Sequence, residues 1–168
     1  TPRGTPAWVR TEKLGGVTYP VVEGLADLVW LANLAALELH THQWRVGSDV
    51  PDQLVLDLDP GPPASVVECC EVALLLRDVM CEDGHEPVAK TSGSKGLQLY
   101  ARADGFSSSE ETSAYAKGLA QRFEQSHPDL VVHRMTKTLR PGKVLVDWSQ
   151  NNSAKTTIAS NRGRVVRS

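Results

Sequence analysis

At 168 residues, with 40% hydrophobic and 23% charged side chains, the chain has the composition of an ordinary globular domain and the length to bury a core of its own. No apolar run approaches the roughly 20 residues needed to span a bilayer, which argues against a membrane protein. The formal charge of −2 hides an uneven distribution. Residues 131–168 carry eight basic side chains (Arg134, Lys137, Arg140, Lys143, Lys155, Arg162, Arg164, Arg167) against one acid, Asp147, a net +7 that leaves −9 for residues 1–130. A basic surface beside an acidic body is what a polyanion-binding protein needs, while a solvated basic tail is the plainer alternative.

Three cysteines, Cys69, Cys70 and Cys81, cannot form an even disulfide framework and are expected to be small buried hydrophobes in a reducing cytoplasm. The first residues do not read as a signal peptide, and the first residue is Thr1 rather than Met. A processed or excised chain is expected from that start.

In chain order, residues 1–24 read as loop, with a short strand over Val17 to Val22. The apolar positions Leu25, Leu28, Val29, Leu31, Leu34 and Leu37 predict a mostly buried helix from Leu25 to Leu39. Gln53 to Asp59 sets Leu54, Leu56 and Leu58 against Val55, Asp57 and Asp59, a strand stopped by Pro60-Gly61-Pro62-Pro63. An amphipathic helix follows over Ser65 to Met80. Two strands, Glu86 to Ser92 and Gly96 to Ala103, join through Gly93-Ser94-Lys95. Ser108-Ser109-Glu110-Glu111 is a capping box opening a helix to about Gln125. Leu130 to His133 and Lys143 to Trp148 read as strands, Thr156 to Ala159 as a further short one, and the last residues as frayed. This order predicts an α+β fold, with helices over a mixed or antiparallel sheet, in a single domain spanning residues 1–168.

Asp57 and Asp59 stand at i and i+2 of one strand, so both carboxylates share a face with Cα atoms roughly 6.5–7 Å apart, in reach of one or two hard cations. Burying two like charges side by side is costly without cations between them. A third carboxylate, Asp147, ends the apolar strand Val144-Leu145-Val146. Two carboxylates from one strand and one from a neighbour suit two divalent ions about 4 Å apart. The turn Thr91-Ser92-Gly93-Ser94-Lys95-Gly96 offers glycines for close approach, hydroxyl and N–H donors, and a lysine charge to a phosphate, although it is not a Walker A sequence and also reads as a plain hairpin turn. His40 and His42 lack further ligands at metal-site spacing. A phosphate contact suits His40, His42 reads as a bystander, and cap or core roles stay open for both.

Taken together, Leu37-Glu38-Leu39-His40, Leu54 to Gly61, Lys90-Thr91-Ser92-Gly93-Ser94-Lys95-Gly96-Leu97 and Gly142 to Asn151 resemble the polymerase domain of bacterial DNA ligase D, of the archaeo-eukaryotic primase superfamily. Trp8-Val9-Arg10, Trp30-Leu31-Ala32-Asn33 and Ala154-Lys155-Thr156-Thr157 match in the same order. The resemblance implies a primase-polymerase (RRM-like) catalytic core, shortened at both ends. It also implies metal-dependent nucleotidyl transfer that adds NTP or dNTP to DNA ends or gaps in end-joining repair. It assigns Asp57, Asp59 and Asp147 to two Mn²⁺ or Mg²⁺ ions, and His40, Ser92, Lys95 and the position of Gln98 to the incoming nucleotide. Arg162 and Arg164 are both candidates for a triphosphate-holding arginine. Partners implied are DNA, a DNA ligase and an end-binding protein, in a bacterial cytoplasm at the nucleoid. Gln98 departs from the histidine usual in the family, and glutamine accepts and donates hydrogen bonds but carries no charge. A catalytically weak nucleotide- or DNA-binding paralogue is the alternative, and a metal-dependent phosphoesterase a third reading.

Overall fold

The computed structural model describes residues 2–159, so Arg162 and Arg164 lie outside the described residues. A hairpin comes first, β1 (Thr11–Leu14) against β2 (Val17–Pro20). Gly15 and Gly16, with φ of 53° and 85°, form the two-residue turn that a right-twisted hairpin favours. The expected strand over Val17 to Val22 is the second half of this hairpin. Its partner β1, Thr-Glu-Lys-Leu, carries too little apolar character to be read as a strand.

Helix α1 (Leu25–Asn33) corrects both the expected length and the expected burial. Only Asp27 and Leu31 are buried along it, while Leu25, Leu28, Val29 and the later Leu37 are exposed. Ala35 takes φ 57° and the Ala36 N–H returns to the Leu31 carbonyl at 3.1 Å. This left-handed stop ends the helix inside the apolar run. The chain then makes the short β3 (His40–Thr41).

The central sheet is built from β4 (Gln53–Pro60), β5 (Val88–Thr91), β6 (Leu97–Arg102), β7 (Val131–Val132) and β8 (Val144–Asp147). Their order is β5-β6-β4-β8-β7. Every pairing is antiparallel except β7 with β8, so the sheet is mixed. Helices α2 (Val66–Glu82) and α3 (Ser109–Ser126) cover one face. Leu54, Leu56 and Leu58 of β4 form the core there with Val72 and Leu76 of α2 and Leu119 and Phe123 of α3. Each such buried side chain contributes about 1.5–3 kcal/mol.

Local signals fix the helix starts. At α2 the Ser65 N–H donates to Glu68 Oε2 (2.7 Å) and the Val67 N–H to Ser65 Oγ (3.2 Å), a reciprocal cap. At α3 the Ser108 hydroxyl accepts the Glu111 N–H, but the Glu111 carboxylate takes the Ser107 N–H instead of closing the box on Ser108. The β5–β6 turn depends on two glycines. Gly93 has φ 81°, and a Cβ on Gly96 would lie 2.0 Å from the Leu58 carbonyl oxygen, so only glycine lets this turn lie against β4. Last, β9 (Thr157–Ile158) pairs with β3, His40 opposite Ile158. Among the described residues no helix is long and apolar enough to cross a membrane.

Candidate active site

The face of the sheet away from α2 and α3 carries the polar residues. Register places Asp57 opposite Gln98 of β6 on one side and opposite Asp147 of β8 on the other. Directly opposed residues of antiparallel strands share a face. Asp57, Gln98 and Asp147 therefore form a row across three strands, with Asp59 two residues further along the same face of β4. Like charges set opposite one another destabilise a sheet, and Asp57 and Asp147 are such a pair, with Asp59 close by.

The protonation equilibria record that cost. Burial, then the charges of Asp59 and Asp147, push the Asp57 carboxyl up to about 6, against the opposing effects of Gln98 and Lys155. Burial and Asp147 also raise Asp59, opposed by Arg140. Asp57 Oδ1 is buried with no hydrogen-bond partner. Asp147 is different. Its Oδ1 accepts from the Ser149 N–H (2.8 Å) and hydroxyl (2.6 Å), its Oδ2 from Gln150 Nε2 (3.2 Å), and Lys155 Nζ in turn donates to Ser149 Oγ.

An all-oxygen donor set, a bare buried carboxylate oxygen and two carboxyls held above their ordinary range fit a hard divalent cation. The three carboxylates share a row without being gathered into one cluster. Among the described residues no three His, Cys, Asp or Glu side chains come close enough to hold a single ion. The loop that carries Asp147 occupies both of its oxygens.

The phosphate candidates flank a second feature. Ser92, Lys90, Tyr100, Leu39 and Ile158 line a cleft of about 670 Å³. Ser92 closes its own turn, its hydroxyl accepting the Gly96 N–H at 3.1 Å, and Lys95 is exposed at the tip. His40, exposed on β3, pairs with Glu38 Oε1 at 2.6 Å. His42 is half-buried outside the core cluster, stacked on Trp44 (4.7 Å) and edge-on to Tyr19 (5.5 Å). Gln98 is buried, and the Tyr100 hydroxyl lies 2.8 Å from both its Oε1 and the Ile158 carbonyl.

Three residues near these groups carried no assignment from the sequence. Arg140, counted there only as charge, acts on Asp59 and donates to the Met135 carbonyl. Lys155 reaches Ser149 and acts on Asp57. Lys90 Nζ sits 3.4 Å from the Ile158 and Ala159 carbonyls and over the Tyr100 ring. A basic residue just outside a carboxylate strand is the available signal, and it is too common to single these out.

Comparison with known proteins decides what this sheet belongs to. The profile of the family described as LigD, primase-polymerase domain, matches residues 1–166. The chain belongs to the LigD primase-polymerase domain family. It is 45% identical over 168 residues to the multifunctional non-homologous end joining protein LigD of Mycolicibacterium smegmatis, covering 95% of this chain and 22% of that protein. It is 30% identical to the bifunctional non-homologous end joining protein LigD of Bacillus subtilis, covering 96% of this chain and 27% of that protein. Among solved structures, the polymerase domain of Mycobacterium tuberculosis ligase D in complex with DNA superposes with a TM-score of 0.88 at 42% identity. That match covers 95% of this chain and 60% of the other. The chain thus spans about a quarter or less of the length of these LigD proteins.

Proposed function

We propose that this domain transfers nucleotides from NTP or dNTP to a DNA 3′-hydroxyl at ends or gaps, in end-joining repair alongside a DNA ligase and an end-binding protein in the bacterial cytoplasm. The observation that carries the reading is the row Asp57–Gln98–Asp147 with Asp59 beside it, on a sheet whose other face packs β4, β6 and β8 into the core. Membership of the LigD family supports it.

Asp57, Asp59 and Asp147 would hold the two divalent ions. When bound, Mn²⁺ or Mg²⁺ supplies charge neutralisation and Lewis-acid activation for an in-line displacement. In that displacement the primer 3′-oxygen bonds to the α-phosphorus and pyrophosphate departs. The chain's own contribution is placement. Ser92, which lines the cleft, would meet the triphosphate together with Lys95 and His40, supplying the donors and positive charge it needs. Gln98 meets it with an amide where the family usually has an imidazole. Arg162 and Arg164 remain candidates for the same task from outside the described residues.

One observation favours a second reading, a catalytically weak nucleotide- or DNA-binding module. The Asp147 carboxylate and the Ser92 hydroxyl are both committed to local hydrogen bonds. Primer extension with Mn²⁺ separates the two. Extension by the wild type and a loss of at least about 10²-fold in Asp57→Ala, the scale of removing a transition-state stabiliser, supports transfer at this site. Extension by both proteins moves the chemistry elsewhere, and extension by neither, with nucleotide or DNA still bound, establishes the binding module.

A further inference from the structure

β8 is four residues long and pairs with β4 only from Asp57 to Pro60. On its other side β4 is paired with β6 from Gln53 to Leu58. Just before the carboxylates, then, the β8 side of β4 has run out of strand. Unpaired backbone groups at such a buried position carry the cost of a lost hydrogen bond. Val55, fully buried, is the residue concerned.

Asn151 fills the gap. It lies in the 3₁₀ turn Ser149–Asn151 that follows β8 and is 2% exposed. Its Oδ1 accepts the Val55 N–H at 2.8 Å, and its Nδ2 donates to the Val55 carbonyl at 2.7 Å. One side-chain amide thereby reproduces both hydrogen bonds of an antiparallel strand pair. The same Nδ2 donates to the Trp148 carbonyl at 2.9 Å, so both amide hydrogens are used and the orientation is fixed.

This places Asn151 between the two halves of the carboxylate row. Its contact on β4 is two residues before Asp57, and its contact on the turn is one residue after Asp147. Within that turn Asp147 is bound by Ser149 and Gln150. On its outer side the turn is held by Trp148, whose Nε1 donates to the His133 carbonyl and whose ring lies under Lys117 of α3. The Asp147 loop is one braced unit; the β4–β8 ladder holds its start at Asp147, and Asn151 ties the turn beyond the ladder's end to the strand that carries Asp57 and Asp59.

We infer that Asn151 is a positioning residue that sets the separation of Asp147 from Asp57 and Asp59, and through it the affinity of the site for divalent cations. The inference rests on the proposed metal-carboxylate reading and adds to it a residue that is no ligand itself. A residue that hydrogen-bonds a metal ligand typically changes metal affinity by 10–100-fold when removed, and Asn151, which bonds the backbone beside the ligands rather than a carboxylate, belongs at the low end of that range.

Two measurements on the same protein test it, neither of them turnover. Mn²⁺ binding followed by electron paramagnetic resonance should weaken at least about ten-fold in Asn151→Ala and in the milder Asn151→Ser. Hydrogen exchange at the Val55 amide should accelerate in the same variants. Leu119→Ala, a core truncation on the helix side of the sheet, should lower the melting temperature yet keep wild-type Mn²⁺ affinity. Wild-type affinity in both folded Asn151 variants overturns the inference, as does an equal loss in Leu119→Ala, which reduces the effect to stability alone. If Asp57→Ala binds Mn²⁺ as the wild type does, or the wild type binds none, the metal-carboxylate reading fails and takes this inference with it. Loss of binding in Asp57→Ala with none in the Asn151 variants removes the inference only.

Discussion

The two faces of β4 share one backbone and one register and have opposite energetics. Leu54, Leu56 and Leu58 are completely buried under α2 and α3, where each contributes to stability. On the other face Asp57 and Asp59 sit beside each other and near Asp147, with their carboxyls raised by burial and mutual repulsion. The comparison teaches that the helix side makes the sheet affordable to fold and the carboxylate side draws on that surplus. Local destabilisation that the rest of a fold offsets is a mark of functional sites.

Truncating each face sharpens that contrast, and the largest effect belongs to the core. Leu56→Ala should cost about 3–4 kcal/mol, the loss of buried area plus an unfilled cavity, read as a lower urea midpoint. The folded fraction should retain wild-type Mn²⁺ affinity. On the opposite face the sign reverses. Asp57→Asn removes one charge from the row, and without metal at pH 7.5 it should stabilise the domain by about 1–2 kcal/mol, discounted for the part of the carboxylate that remains in water. The same variant should lose primer extension. A destabilised Asp57→Asn would show that the row is already neutralised by its surroundings.

The pH profile follows from the same repulsion. Asp57 titrates near 6 in the folded protein against 3.8 for the free side chain. Between about pH 4 and 6 the native state therefore binds more protons than the unfolded chain, and stability falls as pH rises. Its contribution is fully present below the unfolded value and lost above the folded one, the reverse of a salt-bridged aspartate. Thermal melts without metal should show about 1–2 kcal/mol of this decline in the wild type and little of it in Asp57→Asn. Millimolar Mn²⁺ should flatten the curve, because a cation that binds only the folded carboxylates adds stability where they are charged.

How much of this was legible beforehand depended on whether the signal was local. Alternation of Leu54, Leu56 and Leu58 with Asp57 and Asp59 gave β4 and both of its faces, and the turn glycines gave β5 and β6. Where a partner decided the outcome, the sequence was silent or misled. The apolar run from Leu25 to Leu37 predicted burial that no described element supplies. β3 and β9 are two residues each and exist only because they pair. Asn151 resembles any polar turn residue until the end of β8 leaves Val55 without a strand to bond. The basic excess after residue 131 is partly consumed by structure, with Arg134 on Glu124 and Lys143 on the Pro128 carbonyl, so net charge overstated what is free for a polyanion.

The smallest expected effect probes the row at its neutral member. Gln98 stands opposite Asp57 in register and shares the Tyr100 hydroxyl with Ile158, so Gln98→His exchanges an amide for a titratable ring without moving the strand. An imidazolium there would favour the charged form of Asp57 and lower its titration. The fall in stability between pH 4 and 6 should become shallower. Below about pH 6.5, the ordinary histidine value, the added charge should also tighten nucleotide binding, by about two- to five-fold, the scale of one solvent-screened ion pair. At pH 8 the ring is neutral and the advantage should vanish. Equal nucleotide affinity for the two proteins at both pH values would mean that position 98 does not face the nucleotide, and that its place in the row serves Asp57 alone.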